Sequence, residues 1–203
     1  MAAYTAAYLQ FSAFRANWEK EIERHLTAVA TFKAFQVEQW YKENLDHSRF
    51  FTANATLARV ADEYFAASSP NTRDELFSQF TAIKQNLGYD AVRLFDAAGA
   101  SLLSVGARPD QVCSPVQKGV AKALQTKEPV TSDIYRNEHT GCLEFSIFAP
   151  LIEAGPAANV TGVLVLSFDP GPLFALRSIR EKSPWYNPGV RFYLASFSCE
   201  CEK

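Results

Sequence analysis

The stretch that decides the fold is Leu143–Pro170, LEFSIFAPLIEAGPAANVTGVLVLSFDP. Residues 142–152 alternate as a β-strand does, with apolar residues at the odd-numbered positions. The other side of this strand carries Glu144, Ser146 and Phe148. Residues 160–169 are largely apolar on both sides, which is typical of a central strand covered on each face. The stretch therefore predicts a central β-hairpin to which the rest of the chain adds edges and cover.

The composition is typical of a globular protein and lacks the basic tracts of a nucleic-acid-binding surface. The 203 residues are 48% hydrophobic, and the formal net charge is −2. This composition argues against disorder, and no long basic tract is present, so we expect no nucleic-acid partner. No apolar run reaches the roughly 18 residues that a membrane span requires, and no signal peptide is recognisable. These features fit a cytoplasmic protein, and they fit equally a segment cut from a membrane receptor.

The N-terminal third predicts a long helix. Residues 1–69 contain neither Gly nor Pro, and apolar residues recur at helical spacing. A continuous helix over residues 9–66 would be about 85 Å long, longer than a compact domain of this size. Part of this helix must therefore project, pair with another helix or bend near residues 44–48, and we expect its second half to lie on the sheet. The first half is expected to project and to form a homodimer along the residues Phe14, Trp18, Ile22 and Val29.

The remaining elements complete an α+β fold. A helix is predicted to start with Thr72 as N-cap and Glu75 in a capping box, to bury Leu76, Phe77, Phe80 and Ile83, and to end at Gly88. The later elements are a hairpin over 89–105, a helix over 115–126, a strand over 129–135, the central hairpin and a helix over 173–180. The expected fold is a long N-terminal helix followed by a five-stranded antiparallel sheet with flanking helices. The expected domains are residues 1–69, 70–182 and 183–203.

Three stretches carry a resemblance to a known family. They are GYDAVRLFDAAGASLLSVG (88–106), EPVTSDIYRNEHTGCLEFSIFAPLIEAG (128–155) and GVLVLSFDPGPLF (162–174). In this order, after a long helix, they resemble the Cache domains, which are PAS-like extracytoplasmic sensor modules of bacterial receptors. The similarity covers roughly residues 40–179. Residues 183–203 depart from the pattern, and are read either as one more strand over 190–197 or as the start of a second Cache module.

The resemblance implies a ligand sensor. In the family, the domain lies outside the inner membrane between two transmembrane helices, and the output is a histidine kinase, a diguanylate cyclase or a chemoreceptor. We therefore expect a periplasmic domain that binds a small organic molecule such as a carboxylate or an amino acid. The pocket of PAS-like sheets lies on one face, beneath the helix between the second and third strands.

Arg93 is the sharpest candidate for ligand binding. It is a charged residue between Val92 and Leu94, in a strand that is otherwise apolar. A guanidinium there could bind a carboxylate through two parallel hydrogen bonds. The alternatives are that Arg93 pairs with an acid on a neighbouring strand, such as Glu144, or that it points to solvent.

Six further residues complete the expected ligand-binding set. They are Asp133, Tyr135, Arg136, Ser146, Phe148 and Asp169. Small polar ligands are held by a few convergent polar groups in an apolar wall, and Phe148 would belong to that wall. An ordinary strand end explains the three residues near Tyr135 equally well, and Asp169 is also a favourable helix N-cap. The polar residues Ser132, Glu144 and Ser167 are additional possible contributors.

Enzymatic motifs are missing from the sequence. There is no GxSxG, no GxGxxG and no Walker-type loop, and His25, His47 and His139 lack the spacing of metal ligands. We expect no catalysis, no cofactor and no metal. The alternative function is a protein-interaction module built on the long aromatic helix. Thiol chemistry at Cys199 and Cys201 is a weaker third hypothesis.

Overall fold

The computed structural model describes residues 2–67, 69–107, 111–153 and 159–171. Its helices are α1 (Ala2–Thr52), α2 (Ala55–Ala67), α3 (Pro70–Leu87) and α4 (Ser114–Thr126). Its strands are β1 (Ala91–Asp96), β2 (Ser101–Val105), β3 (Val130–Thr131), β4 (Tyr135–Arg136), β5 (Leu143–Ile152) and β6 (Val160–Phe168). The expected helix over 173–180, the expected strand over 190–197 and the two C-terminal cysteines lie outside the described residues.

The chain divides into two compact units, residues 1–42 and residues 43–203. The first unit is helical from Ala2 onward. The second unit contains the end of α1 and all the later elements. No described helix is both long enough and apolar enough to cross a membrane.

The alternative of a bend near residues 44–48 is not observed, because α1 continues to Thr52 and the interruption lies at Ala53 and Asn54. Asn54 explains the position of this break. Its side-chain Oδ1 accepts the Leu57 N–H at 3.0 Å, and its carbonyl accepts the Ala58 N–H. An asparagine whose side chain accepts the N–H of the residue three positions later in the chain is a helix N-cap. A new helix, α2, therefore starts after Asn54.

The start of α3 also differs from the prediction. Ser69 is the N-cap and Pro70 is the first helical residue, so Thr72 lies within the helix. Proline is favourable there because the N–H it lacks would have no helical partner. The predicted end is confirmed: Gly88 has a left-handed conformation with φ of 74°, and its N–H bonds to the Lys84 carbonyl. Of the four residues expected to be buried, Leu76 and Phe80 are buried, Ile83 is partly buried and Phe77 is exposed.

In the described part of the chain, the strands form a six-stranded antiparallel sheet. The order is β2-β1-β6-β5-β3, and β4 also pairs with β5. The predicted central hairpin is confirmed, since β6 lies between β1 and β5 and pairs with both. The single strand expected over 129–135 is instead split into β3 and β4. Five strands were predicted and six are observed for this reason, and the α+β class is confirmed.

The register assigns each strand residue to one of two faces. Ser146 and Phe148 of β5 lie opposite Ser167 and Val165 of β6, and Val165 lies opposite Arg93 of β1. Directly opposed residues point to the same side of a sheet, so all five share one face. This face packs on α4 and we call it the α4 face. The other face packs on α2 and α3.

Candidate functional site

Arg93 is buried on the α4 face, and two of its guanidinium nitrogens have no partner among the described residues. The residue is 2% exposed, and these two atoms are Nε and Nη1. Neither alternative from the sequence is observed among the described residues, because the side chain is almost entirely buried and forms no ion pair with them. A buried guanidinium without an anion is energetically costly, because its charge has left water and gained no compensating bond.

A chain of hydrogen bonds crosses the same face from β4 to β6. The Asn137 Nδ2 donates to Glu144 Oε1 at 2.7 Å, and the Tyr135 hydroxyl donates to Glu144 Oε2 at 3.0 Å. The Tyr135 hydroxyl is also 2.8 Å from Ser146 Oγ, which is in turn 2.8 Å from Ser167 Oγ. Ser146 and Ser167 are fully or almost fully buried, so these bonds satisfy groups that water does not reach.

The short strands β3 and β4 position Tyr135 in this network. Val130 and Thr131 pair with Phe148 and Ile147, while Tyr135 pairs with Glu144. Between the two strands, Ser132 keeps the ladder closed: its N–H donates to the Ser146 carbonyl, and its Oγ accepts the Ser146 N–H, both at 2.9 Å. The split strand is therefore attached to β5 at residues 130–132 and again at residues 135–136.

Tyr135 is a neutral phenol in this environment. Burial raises its pKa far above the ordinary value, and the nearby Glu144 carboxylate acts in the same direction, whereas the hydrogen bond with Ser146 acts against it. A neutral phenol keeps its proton, so the Tyr135 hydroxyl can donate a hydrogen bond to the Glu144 carboxylate.

Phe148 forms the apolar wall next to these polar groups. It is fully buried in a cluster that includes Phe95, Val120 and Val165. Gly119 of α4 faces the Phe148 ring so closely that a Cβ added at this position would overlap it. The missing side chain at Gly119 therefore lets α4 approach the sheet at this point.

The other expected site residues lie in different surroundings. Asp133 and Arg136 are exposed, and the Arg136 Nη1 donates to the Gly141 carbonyl at 2.6 Å. Asp169 accepts the Gly171 N–H at 2.7 Å, the contact expected of a capping residue. The structure thus brings Arg93, Tyr135, Ser146 and Phe148 onto one face.

Glu144 and Ser167, named only as additional possibilities, belong to the network, and Asn137 and Gly119 were missed. Strand alternation is the signal that places Glu144 and Ser167 on this face. No local pattern marks Asn137 or Gly119, because their roles depend on contacts made after the sheet has formed. In the described part of the chain, no cluster of three or more His, Cys, Asp or Glu residues could hold a metal ion.

A hollow on the surface of α3 is a poorer candidate. It is lined by the residues Asp74, Phe77, Ser78, Thr81, Ala82 and Gln85. All of these come from one helix, whereas ligand sites typically combine polar groups that converge from several elements. We therefore assign the candidate site to the α4 face.

No protein-family model matches the chain, and no curated protein matches it in sequence. Solved structures do match its fold. A putative sensory box/GGDEF protein domain from Vibrio parahaemolyticus has a TM-score of 0.54 at 13% identity, over 80% of this chain and 64% of that chain. The ligand-binding domain of the Campylobacter jejuni chemoreceptor Tlp3, bound to L-norvaline, has a TM-score of 0.53 at 14% identity, over 70% and 56% respectively. The sensor domain of the V. cholerae histidine kinase DctB has a TM-score of 0.53 at 11% identity, over 70% of this chain and 53% of that chain.

These likenesses define the class of fold. The chain has the fold of ligand-binding sensor domains of bacterial signal-transduction proteins, which confirms the predicted Cache-like fold. It spans slightly more than half of the Tlp3 and DctB chains. At identities of 11–14%, the shared property is the fold, so ligand and output are matters for the following proposal.

Proposed function

We propose that this chain is the extracytoplasmic ligand-sensing domain of a transmembrane receptor and that it binds a small carboxylate or amino acid on the α4 face. The receptor output would be a histidine kinase, a diguanylate cyclase or a chemoreceptor. The observation that carries the proposal is the buried Arg93, whose Nε and Nη1 atoms have no partner in the described part of the chain.

The chemistry of Arg93 selects the ligand class. A guanidinium has only donors, and a carboxylate matches two of its N–H groups at once. An incoming anion would remove the cost of the unpaired buried charge, so binding would stabilise the folded domain. Support also comes from the Tlp3 domain of similar fold, whose bound L-norvaline carries a carboxylate.

The other predicted residues keep their roles as proposals. Tyr135 and Ser146 would contact the polar part of the ligand, and Phe148 would line its apolar part. Asp133, Arg136 and Asp169 would act at the edge of the site. Binding would shift the population between two arrangements of the sheet and the helices, as expected for a sensor.

A thermal-shift screen against organic acids, amino acids and small amines tests this proposal. A ligand at 100 times its Kd stabilises by about 2.7 kcal/mol, which for 200 residues is a rise of several degrees in Tm. We expect carboxylates to give this shift in the wild type and to lose it in Arg93→Met. The exposed Arg73 of α3 supplies the matched control, Arg73→Met.

Two results would contradict the proposal. One is an equal carboxylate shift in wild type and Arg93→Met, which would remove Arg93 from the site. The other is the lack of a shift with every small molecule tested. Because a buried unpaired charge is replaced by an apolar chain of similar length, Arg93→Met is expected to fold with unchanged or higher stability.

The N-terminal unit supports the proposed homodimer. Phe14, Trp18 and Ile22 are 66%, 60% and 44% exposed, and the rings of Phe14 and Trp18 stack at 6.3 Å. With Val29 they follow one stripe of the helix, at the spacing that pairs two helices. Sedimentation analysis should show a dimer for the wild type and a monomer for Trp18→Glu. A monomeric wild type would contradict this part of the proposal.

A protein-interaction module is the second candidate function. The exposed aromatic residues of α1 favour it, since large exposed apolar stripes mark contact surfaces. It predicts no ligand-induced stabilisation and no effect of Arg93→Met on function. A carboxylate that stabilises the wild type would therefore decide for the sensor.

A further inference from the structure

The hydrogen-bond chain on the α4 face has a fixed direction. A carboxylate can only accept hydrogen bonds, and both oxygens of Glu144 do so, one from Asn137 and one from Tyr135. The single proton of the Tyr135 hydroxyl is therefore committed to Glu144. Tyr135 cannot also donate to Ser146, so at their 2.8 Å contact Ser146 is the donor.

The same deduction continues to the end of the chain. The proton of Ser146 is committed to Tyr135, so at the 2.8 Å contact between the two serines Ser167 is the donor. Every hydroxyl proton in the chain thus points towards Glu144. Ser167 Oγ is left with lone pairs that can accept from a donor on its far side.

That far side is the side of Arg93. Ser167 pairs with Ala91, and Arg93 pairs with Val165, so Ser167 and Arg93 are diagonal neighbours on adjacent strands and on the same face. Such neighbours are about 7–8 Å apart at Cα, and a long side chain spans that distance. The register therefore puts an acceptor, Ser167 Oγ, within side-chain reach of Arg93, whose Nε and Nη1 have no partner among the described residues.

We propose that Glu144 is a positioning residue which, by orienting this chain, makes the site prefer carboxylates that carry a hydrogen-bond donor on the adjacent carbon. The carboxylate bonds to Arg93, and the neighbouring hydroxyl or ammonium donates to Ser167 Oγ. Glu144 acts through Tyr135 and Ser146 and does not touch the ligand. The inference rests on the proposed function, in which Arg93 binds the carboxylate.

Matched pairs of acids test the preference. The probes are acetate with glycolate, propionate with 2-hydroxypropionate, and butyrate with 2-hydroxybutyrate, with Kd measured by titration calorimetry. Each pair differs by one hydroxyl, and a net hydrogen bond corresponds to roughly a threefold to tenfold change in Kd. We expect the wild type to bind the hydroxy acid of its best pair more tightly by this factor.

The variants separate direction from packing. In Glu144→Gln the amide can donate to Tyr135, so the chain is free to reverse and the hydroxy-acid preference should fall to about onefold to twofold. Affinity for the unsubstituted acid should stay the same, because the contact with Arg93 is untouched. Ser167→Ala should also abolish the preference, and the exposed Glu138, in Glu138→Gln, should leave it unchanged.

The possible failures are distinguishable. Equal affinity for both members of every pair in the wild type overturns this inference and leaves the proposed function standing. An equal loss for both members in Glu144→Gln shows a merely structural role and overturns it as well. If no carboxylate binds the wild type, the proposed function itself fails, and this inference fails with it.

Discussion

The two faces of the central sheet are buried to a similar degree but differ in chemistry. The α2/α3 face carries fully buried apolar residues, among them Leu94, Ile147, Leu164 and Leu166. The α4 face combines apolar residues such as Val165 with an arginine and two serines that are just as buried. The difference shows that one face supplies stability, and that the other gives up part of its stability to hold polar groups.

The energetic contrast follows from burial. A fully buried leucine contributes about 1.5–3 kcal/mol through the removal of apolar surface from water. A buried serine with a hydrogen bond contributes little, because the bond mainly replaces one lost to water. A buried arginine without an anion opposes folding. The α4 face therefore contributes less to the free energy of folding, and a ligand that brings an anion to Arg93 would stabilise the domain.

The strongest test of this contrast uses adjacent residues of β6. Leu166→Ala should lower the free energy of unfolding by about 2–5 kcal/mol, because it leaves a cavity in the α2/α3 face. Ser167→Ala should lower it by less than about 2 kcal/mol, since one hydrogen bond is lost. Urea denaturation measures both. Equal losses would contradict the assigned difference between the faces.

The contact between α4 and the sheet gives the next largest effect. Gly119→Ala should destabilise the protein by about 1–3 kcal/mol, because the added methyl group overlaps the Phe148 ring and forces a shift. The double variant Gly119→Ala with Phe148→Leu removes the ring and should recover part of the loss. If the single variant is as stable as the wild type, α4 does not approach the sheet this closely.

Alkaline pH should affect the fold through two buried tyrosines. Burial raises the pKa of both Tyr89 and Tyr135 above the value of about 10 in the unfolded chain. The folded state then holds protons that the unfolded state releases, so stability is complete below pH 10 and falls above it. The decrease is up to about 1.4 kcal/mol per pH unit for each tyrosine. Replacing either residue by Phe should reduce the slope, and an unchanged slope would contradict the burial.

The cap of α2 gives the smallest expected effect. Asn54→Ala removes the acceptor for the Leu57 N–H and should cost about 1 kcal/mol in a thermal melt. Asn54→Asp keeps an acceptor at the same position and should retain most of the stability. Equal stability of Asn54→Ala and the wild type would show that the cap does not contribute to α2, which covers one face of the sheet.

Strand alternation was sufficient to predict the central hairpin and the two faces of its strands. The apolar odd-numbered positions of β5 and the uniformly apolar β6 determine which strand is central and which side is polar, and both expectations agree with the register. The hairpin of β1 and β2 follows equally from Asp96, whose Oδ1 accepts from the Ala98 and Ala100 N–H groups in the turn. These are local signals, which is why the sequence contains them.

The helix boundaries and the hydrogen-bond chain around Glu144 could not be predicted from local sequence patterns. Asn54 does not stand out from the other polar residues in a run of helical character. Thr72 is favoured over Ser69 as a cap because its spacing to Glu75 fits a capping box. The partnerships of Glu144 join residues from two strands and one loop. These hydrogen bonds form only after β4 has paired with β5, so no residue spacing in the sequence predicts them.

The polar residues of the α4 face also protect the chain against an error during folding. A slip of β1 or β6 by one residue would exchange their two faces. Arg93 or Ser167 would then lie against α2 and α3, among leucines that offer no hydrogen bond. Such misaligned intermediates are penalised, whereas an entirely apolar pair of strands would tolerate them. The polar residues that lower the stability of the native sheet thus lower the stability of the misaligned sheets even more.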